Sequence, residues 1–342
     1  MKTQNIKNLL ITGGAGFIGS NFIKLLLETR NYKIINYDLL TYSGNLENLK
    51  EVENHPNYKF YQGDICDFNK IDEIIKNEQV DGIINFAAES HVDKSIIDAS
   101  PFIHSNIQGM LNLMNVSRKN NIQRFLQIST DEVYGSADNG ESFVETNNLL
   151  PNSPYSASKA SADLMVRAFI QTYNFPAIIT RSTNNYGPYQ YPEKFIPLII
   201  TNAINGKKIP LYGDGMNIRD WVYVEDNCSA ILEVFEKGRI GEIYNIAGNN
   251  EKTNIEIIHT ILELMKVDKN LIEFVKDRPA HDRRYSINSD KLKSEIGWIP
   301  KFAFKDGIRK TLDWYLSNPI WLENVIKRTN FMEYYQTQYG VS

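Results

Sequence analysis

Two short polar segments carry side chains suited to acid–base chemistry on a single substrate. The first follows an apolar run and reads Thr130-Asp131-Glu132, a hydroxyl beside two adjacent carboxylates. The second, further along the chain, carries Tyr155 and Lys159. A tyrosine can exchange a proton with a substrate hydroxyl, and two carboxylates can act as base and acid when their environments separate their pKa values. Together the segments predict a redox tyrosine and an acid–base pair that face one substrate.

The spacing of Tyr155 and Lys159 places both side chains on the same face of a helix. A free tyrosine has a pKa near about 10 and is a poor base at neutral pH. A lysine ammonium one turn away favours the phenolate, so we expect Lys159 to lower the pKa of Tyr155. The same spacing also occurs in solvated pairs on surface helices, so its meaning depends on the elements around it.

A dinucleotide-binding fingerprint opens the chain. Residues 6–11 form an apolar run typical of a buried strand, followed by Gly14-x-Gly16-x-x-Gly19 and helical spacing over residues 20–27. We expect the first glycine to make the turn, the second to approach a pyrophosphate, and the third to let the helix pack on the strand. Asp38 ends the next apolar run. A carboxylate there binds ribose hydroxyls and repels a 2′-phosphate, which predicts NAD rather than NADP.

Further apolar runs alternate with helical patterns along the chain. We predict strands at residues 58–62, 80–88, 124–129, 177–180 and 242–247, and helices at residues 72–77, 107–118, 155–173 and 253–265. This order predicts an α/β fold with a Rossmann-type, doubly wound parallel sheet. Ligands of such sheets bind beyond the carboxyl ends of the strands, where Thr130-Asp131-Glu132 stand.

A change in amino-acid composition divides the chain into two interleaved parts. Residues 184–215 are rich in Pro, Gly and Asn and predict a loop-rich, smaller substrate-binding lobe. We assign residues 1–182 and about 221–249 to an NAD-binding Rossmann domain. Residues 183–220 and 250–342 are assigned to the C-terminal substrate lobe.

Composition excludes several classes of protein. Apolar residues are 42% and charged residues 23%, as in ordinary globular enzymes, and the net charge of −4 argues against nucleic-acid binding. No apolar stretch is long enough for a signal segment or a membrane span, so we expect a cytoplasmic protein without a membrane partner. The two cysteines, Cys66 and Cys228, have no spacing that indicates a disulfide framework or a metal site, and we expect both to be reduced thiols.

Several motifs, read in order from residue 7 to about residue 300, resemble those of known families. Gly13-x-x-Gly16-x-x-Gly19 with Tyr155-x-x-x-Lys159 resembles the extended short-chain dehydrogenase/reductases. Finer motifs resemble the dTDP-glucose 4,6-dehydratase family. These are Ala88-Glu89-Ser90-His91-Val92-Asp93, Ser129-Thr130-Asp131-Glu132-Val133-Tyr134-Gly135, Asn184-Asn185-Tyr186-Gly187-Pro188-Tyr189-Gln190, Tyr212-Gly213-Asp214-Gly215 with Arg219-Asp220-Trp221, and His281-Asp282-Arg283-Arg284-Tyr285.

The resemblance implies a lyase that dehydrates a nucleotide-linked glucose with catalytic NAD. Tyr155, supported by Lys159, would take the proton of the 4-hydroxyl while hydride passes to NAD. Glu132 would remove the hydrogen on carbon 5, and Asp131 would protonate the departing 6-hydroxyl. Hydride would then return to carbon 6, and Thr130 would hydrogen-bond the 4-oxygen. The expected product is dTDP-4-keto-6-deoxyglucose, a precursor of rhamnose or related deoxysugars.

The resemblance also implies two sets of binding residues and a homodimer that pairs helices near residues 104–120 and 155–172. The expected NAD-binding residues are Gly13, Gly16, Phe17, Ile18, Gly19, Asp38, Leu39, Thr41, Asp64, Ile65, Ala87, Ala88, Ser90, Ser105, Tyr155, Lys159 and Asn185. The expected residues for the nucleotide-sugar substrate are Ser90, Thr130, Asn184, Lys194, Phe195, Pro210, Tyr212, Arg219, Asn254, Arg278 and His281. No metal is expected.

A few positions depart from the family pattern. Ser182-Thr183 replaces the usual cysteine-serine, and Ala247 and Ala280 stand where glycine is usual. If position 280 requires a positive φ, alanine there could shift the loop that carries His281.

Three other functions remain open from the sequence. A 4,6-dehydratase of UDP-glucose would use the same chemistry, because the two bases differ by one methyl group, worth only about 1–3 kcal/mol in a pocket. A nucleotide-sugar 4-epimerase would need Tyr155 and NAD but no elimination carboxylates, so Asp131 and Glu132 argue against it. A non-catalytic sensor of NAD or a sugar nucleotide would not need the four acid–base side chains.

Overall fold

The computed structural model describes residues 6–138 and 140–328. Its strands, in chain order, are β1 (Asn8–Thr12), β2 (Lys33–Asp38), β3 (Tyr58–Gln62), β4 (Gly82–Asn85), β5 (Arg124–Thr130), β6 (Ala177–Ser182), β7 (Asn184–Tyr186), β8 (Ile209–Tyr212), β9 (Ile218–Arg219), β10 (Trp221–Tyr223), β11 (Ile243–Ile246), β12 (Lys252–Thr253) and β13 (Ile272–Val275).

Its α-helices are α1 (Phe17–Thr29), α2 (Phe68–Glu78), α3 (Val92–Ile97), α4 (Ser100–Phe102), α5 (Met110–Lys119), α6 (Pro154–Tyr173), α7 (Phe195–Ile204), α8 (Val224–Lys237), α9 (Asn254–Met265), α10 (Asp290–Ile296), α11 (Phe304–Ser317) and α12 (Pro319–Arg328). Three short 3₁₀ helices (Leu46–Val52, Asp131–Tyr134 and Lys269–Leu271) and a π-helical segment (Ile103–Gly109) complete the helical elements of the described chain.

Seven strands form a parallel sheet in the order β11-β6-β5-β4-β1-β2-β3. Apart from the edge strand β3, its strands are largely buried on both faces because helices cover both sides. Leu9 and Ile11 face the cluster formed by α1 and α8, whereas Leu10 faces the cluster formed by α2, α5 and α6. All three side chains are fully buried. The predicted Rossmann-type doubly wound fold is confirmed.

A separate apolar cluster lies in the C-terminal half of the chain. Helices α7, α9, α11 and α12 bury Ile199, Ile258, Ile308 and Trp321 against one another and against β8. Two pairs of short strands also contribute to this cluster: β7 pairs with β10, and β8 pairs with β13.

Some predicted elements differ from those observed. The region over residues 184–215 contains helix α7, which its prolines concealed: Pro197 lies within the first turn, where a missing N–H breaks no hydrogen bond. The fourth strand is only Gly82–Asn85, and the helix expected from residue 107 begins as an α-helix at Met110, after the π-helical segment. The two-part division of the chain stays a prediction, and its residues 1–5, 139 and 329–342 lie outside the described chain.

Within the described ranges, no helix is both long enough and apolar enough to cross a bilayer.

Glu78, the last residue of α2, is a buried carboxylate that ties this helix to two strands. It accepts hydrogen bonds from Lys33 (2.7 Å), Lys59 (2.6 Å) and the Tyr61 hydroxyl. These bonds, the one from Lys33 first, lower the pKa of Glu78 from 4.5 to about 2. The ionised form of Glu78 is therefore more stable in the folded chain than in the unfolded chain.

We expect Glu78→Gln to lower the free energy of unfolding by about 1–2 kcal/mol at pH 7. Because the folded pKa is depressed, this stability is present above pH 4.5 and is lost as pH falls toward about 2. Urea titrations at several pH values measure the difference. Glu73→Gln, on the same helix with an exposed side chain, serves as the control. A difference that stays constant from pH 6 to pH 3 would contradict this role of the charge.

Candidate active site

The glycine-rich loop between β1 and α1 has the geometry of a phosphate-binding turn. Gly13 makes the turn with φ 69°, one residue before the glycine that we expected. A Cβ atom on Gly19 would lie 2.4 Å from the Gly13 carbonyl oxygen, so the third glycine permits close packing, as predicted. No side chain caps α1, whose first residues follow Gly16, and its first N–H groups can therefore bind an anion.

Asp38 is held at the end of β2 by two backbone donors. Its carboxylate accepts from Ala15 N (2.9 Å) in the glycine loop and from Leu40 N (2.8 Å). These bonds fix the position of the carboxylate beside the loop. The predicted ribose-binding acid is therefore tied directly to the predicted phosphate-binding turn.

A groove of about 240 Å³ runs along the carboxyl ends of the strands. It is lined by every residue predicted to bind the cofactor except Asn185, and by Lys194. Further lining residues were not among the predicted cofactor-binding residues, although some belong to the quoted motifs: Tyr37, Ser43, Gly44, Gly63, Phe86, Glu89, Ile128, Ser129, Tyr189, Gln190 and Tyr191.

Tyr155 and Lys159 lie in the first turns of α6 and are both buried. A capping box formed by Ser153 and Ser156 starts this helix, and Pro154 occupies its first position. The Tyr155 backbone N–H donates to Ser95 Oγ (3.1 Å), and Lys159 Nζ donates to the Ile128 carbonyl (2.7 Å). The Lys159 side chain is thus tied to β5, and the Tyr155 backbone is tied to α3.

The environment of this pair differs from the one expected. Burial raises the pKa of Tyr155, and the Glu132 carboxylate raises it further, while a hydrogen bond with Thr130 acts in the opposite direction. Burial lowers the pKa of Lys159 to about 8. The net shift of the Tyr155 pKa is therefore opposite in direction to the one expected from its spacing with Lys159, because burial of the phenol is the largest influence on it.

Asp131 and Glu132 follow β5 in a short 3₁₀ helix that Thr130 caps. The Thr130 hydroxyl accepts from Glu132 N (3.3 Å) and donates to Asp131 Oδ1 (3.2 Å). Burial raises the pKa of Asp131 well above its ordinary value, and the charge of Glu132 adds to the shift. Burial also raises the pKa of Glu132, but Arg278, Arg219 and Lys194 oppose that shift. The pair therefore has one carboxyl that favours the protonated form and one that cations hold closer to ionisation.

Two residues that we predicted to bind the substrate, Arg278 and Tyr212, donate to the carboxylate of Asp93. Asp93 accepts from Arg278 Nη1 (2.9 Å) and from the Tyr212 hydroxyl (3.1 Å), and the Tyr212 ring lies edge-on to His281 with centroids 6.0 Å apart. Lys194 Nζ donates to the Ser90 carbonyl (2.8 Å). Asp93 belongs to a motif that we had identified, but the sequence assigned it no function.

Arg219 and His281 flank the same region. Arg219 is buried over the Tyr285 ring at 4.0 Å and donates to the Asp282 carbonyl (2.9 Å). His281 Nδ1 lies 2.6 Å from Asp277 Oδ1, and burial lowers the pKa of His281 to about 4. Ala280 adopts φ 51°, so this position does use the left-handed conformation that glycine favours.

The remaining predicted residues are less closely joined. Phe195 starts α7 and stacks near Trp221 with centroids 6.4 Å apart, and Pro210 lies buried in β8 two residues before Tyr212. Asn254 begins α9, and its backbone N–H donates to the Asn217 carbonyl (3.0 Å). Asn184 and Asn185 lie in β7, where Asn185 Nδ2 donates to the Thr183 carbonyl (3.0 Å).

Several buried polar atoms around this region have no hydrogen-bond partner in the described chain. They are Ser129 Oγ, Asp131 Oδ2, Glu132 Oε2, Asn184 Oδ1, Asn185 Oδ1 and Arg278 Nε. Buried polar groups are normally paired, so a concentration of unpaired ones indicates a site that is completed by ligands.

Asn106 is a further residue of the site that the sequence did not reveal. It lies in the π-helical segment, where its amide exchanges two hydrogen bonds with the Glu89 backbone (2.9 and 3.0 Å) and donates to Ser158 Oγ (2.8 Å). Ser158 in turn donates to the Tyr155 carbonyl (2.7 Å). Asn106 therefore joins the wall of the groove to the helix that carries Tyr155.

We expect Asn106→Ala to lower kcat by up to about 100-fold, because misplacement of reacting groups by 1 Å has effects of that size. Substrate KM should change little, since Asn106 lies behind the groove wall. Steady-state kinetics measure both constants. Asn120→Ala, which removes an amide at the far end of α5, is the control. An unchanged kcat in a folded Asn106→Ala protein would exclude a positioning role.

The parallel sheet, the glycine turn beside Asp38 and the buried Tyr155–Lys159 pair define a short-chain dehydrogenase/reductase. Comparison with protein families identifies the family within this class. The chain belongs to the GDP-mannose 4,6 dehydratase family, whose model matches residues 10–311.

Individual relatives match over nearly the full length. The chain is 46% identical to the dTDP-glucose 4,6-dehydratase of Neisseria meningitidis serogroup B, over 96% of this chain and 98% of that protein. The crystal structure of dTDP-glucose 4,6-dehydratase from Bacillus anthracis with NAD matches with a TM-score of 0.88 and 51% identity, over 93% of this chain and 99% of that one. DesIV, a dTDP-glucose 4,6-dehydratase of Streptomyces venezuelae solved with NAD, matches with a TM-score of 0.91 and 46% identity over the same shares. The resemblance inferred from the motifs is confirmed.

Proposed function

We propose that this chain is an NAD-dependent lyase that converts dTDP-glucose to dTDP-4-keto-6-deoxyglucose. The reaction would oxidise carbon 4, eliminate water across carbons 5 and 6, and then add hydride to carbon 6 and a proton to carbon 5. One observation carries the proposal: the redox pair and the acid–base pair lie together at the carboxyl end of β5. A buried Tyr155–Lys159 pair and the acid pair Asp131–Glu132 both flank Thr130.

The roles follow from the environments of the side chains. Tyr155 takes the proton of the substrate 4-hydroxyl, and Thr130, its hydrogen-bond partner, also contacts the 4-oxygen. The 4-ketone acidifies the hydrogen on carbon 5, which Glu132 removes. Asp131, whose raised pKa favours the protonated form, donates to the departing 6-hydroxyl. These assignments give each acid–base group one task.

The groove fits a dinucleotide. Its floor is the glycine turn, Asp38 stands at the place of the ribose hydroxyls, and unpaired buried atoms such as Ser129 Oγ lie near Lys159 at the other end. NAD bound there would accept and return the hydride without net consumption, and its positively charged ring would oppose the upward shift of the Tyr155 pKa.

We further propose that the lobe of residues 183–220 and 250–342 holds the nucleotide diphosphate. Arg219, Arg278 and Lys194 supply positive charge beside Glu132, and arginine matches phosphate oxygens with its planar fork. Tyr212 offers an aromatic face to a base. All three cations lower the pKa of Glu132, whereas only Arg219 does so for Asp131, and this difference helps to separate the two carboxyl pKa values.

A direct test offers dTDP-glucose, UDP-glucose and CDP-glucose separately to the purified protein. We expect a 4-keto-6-deoxy sugar from dTDP-glucose, with no net NADH. A clear preference for UDP-glucose would overturn the choice of base but not the reaction. Formation of a 4-epimer without loss of water would overturn the reaction itself.

We also propose a homodimer that pairs the outer faces of the segment at residues 103–119 and α6. Ile103 is 56% exposed and Leu164 is 55% exposed on these neighbouring helices. Burial of such side chains favours association. Leu164→Arg should give a monomer by light scattering, whereas Ile320→Arg on α12 should not. A monomeric wild-type protein would refute this assembly.

A further inference from the structure

A cluster of three metal-ligand side chains lies beside the cofactor groove and outside the acid–base site. Asp64 and Cys66 follow β3, and His104 projects from the π-helical segment. One donor atom from each residue lies within 4.8 Å of the other two. We propose that Asp64, Cys66 and His104 form a binding site for a thiophilic divalent cation of the Zn²⁺ type.

The donor atoms lie within reach of one tetrahedral ion after a turn of the His104 ring, because the two shortest contacts use different nitrogens of that ring. Asp64 Oδ2 lies 3.0 Å from His104 Nε2, and Cys66 Sγ lies 3.8 Å from His104 Nδ1. Zinc–ligand bonds of about 2.0–2.3 Å at tetrahedral angles place donor atoms roughly 3.4–3.6 Å apart. The His104 side chain is 55% exposed, so its ring can turn to present one nitrogen to both partners.

Backbone interactions already orient two of the three ligands. The Cys66 N–H donates to Asp64 Oδ1 (2.8 Å), which leaves Oδ2 directed toward His104. Cys66 Sγ lies 3.4 Å from the His104 carbonyl oxygen. Asp64 and Cys66 come from the turn after β3, and His104 comes from the π-helical segment that packs over this turn.

The chemistry of the donor set selects the class of ion. A thiolate and an imidazole bind Zn²⁺ strongly, whereas Mg²⁺ and Ca²⁺ require oxygen ligands. Three protein ligands leave a fourth position for water. Of the three residues, only Asp64 lines the groove, so Cys66 and His104 would hold the ion on the outer side of the groove wall.

The site would connect two segments that border the cofactor groove. Asp64 and Ile65 belong to one segment, and Ser105 follows His104 in the other. A bound ion would therefore brace this wall. The inference does not depend on the proposed reaction, because it concerns binding of an ion that the acid–base groups do not use.

The test titrates ZnCl₂ into NAD-loaded protein that has been freed of metal, and follows the heat of binding. We expect one Zn²⁺ per chain and a higher Tm in its presence. His104→Gln and Cys66→Ser should each weaken binding by more than about 100-fold, since loss of even an outer-shell partner costs about 10–100-fold. The control His259→Gln removes a histidine elsewhere and should bind as the wild type does.

Co²⁺ provides a second readout that does not depend on stability. A sulfur-to-metal charge-transfer band should appear with the wild type and with Cys228→Ser, and should be absent from Cys66→Ser. The proposal is overturned if the wild type binds no stoichiometric Zn²⁺, if both ligand variants bind it as tightly as His259→Gln does, or if Cys66→Ser retains the cobalt band.

Discussion

Replacing Tyr155 by Phe should lower kcat by about 10²–10⁴-fold, the range for loss of a general acid–base group. The bound NAD of this variant should show no reduction when substrate is added, because the 4-hydroxyl proton has no acceptor. Absorbance of bound NADH in a rapid-mixing experiment measures the step directly. Substrate affinity should change little, since the phenylalanine ring fills the same space.

Tyr155→Phe should remove the phenolic hydroxyl and leave the packing of the ring and the position of the backbone unchanged. The Tyr155 ring packs edge-on to Phe102 with centroids 6.3 Å apart, and the position of its backbone is set by the Ser95 hydroxyl. Neither contact uses the phenolic oxygen. Tyr173→Phe, at the other end of α6, is the matched control and should keep full activity. Wild-type reduction of NAD by Tyr155→Phe would remove the redox assignment.

Replacing Glu132 by Gln should block the elimination and leave the first oxidation in place. We expect kcat to fall by about 10²–10⁴-fold, while partial reduction of bound NAD survives. Exchange of the carbon-5 hydrogen with deuterium from the solvent, followed by NMR or mass spectrometry, should disappear. The amide keeps the size of the side chain but cannot accept a proton.

Asp131→Asn distinguishes the two carboxyl groups. This variant should keep the carbon-5 exchange, because Glu132 is intact, and should lose the departure of the 6-hydroxyl. Glu141→Gln, at an exposed position later in the chain, is the control and should resemble the wild type. Full turnover by Glu132→Gln, or carbon-5 exchange equal to that of the wild type, would contradict its assignment as the base.

The two predictions together separate the possible functions. A 4-epimerase would lose activity with Tyr155→Phe but would have no elimination for Glu132→Gln to block. A non-catalytic sensor would show neither turnover nor carbon-5 exchange as the wild type, so neither substitution could abolish them. The dehydratase alone predicts that the two variants stop at different, separable steps.

The sequence by itself determined the scaffold and the catalytic candidates. Short-range periodicity specifies buried strands and helices, and the steric needs of a tight turn specify glycines, so the sheet and the phosphate-binding loop could be predicted from local patterns. The i, i+4 spacing of Tyr155 and Lys159 fixes their common face in any α-helix. The family motifs indicated further candidate residues for the binding of NAD and of the substrate.

Only the tertiary structure decided how these groups are coupled. Burial, which depends on every neighbouring element, moves the pKa of Tyr155 upward and that of Lys159 down to about 8, whereas spacing alone suggested that the lysine would lower the pKa of tyrosine. The Asn106 bridge and the Asp64–Cys66–His104 cluster join residues far apart in the chain through crossovers of the fold. Such contacts leave no periodic trace in the sequence, because their geometry is set by packing rather than by the local backbone.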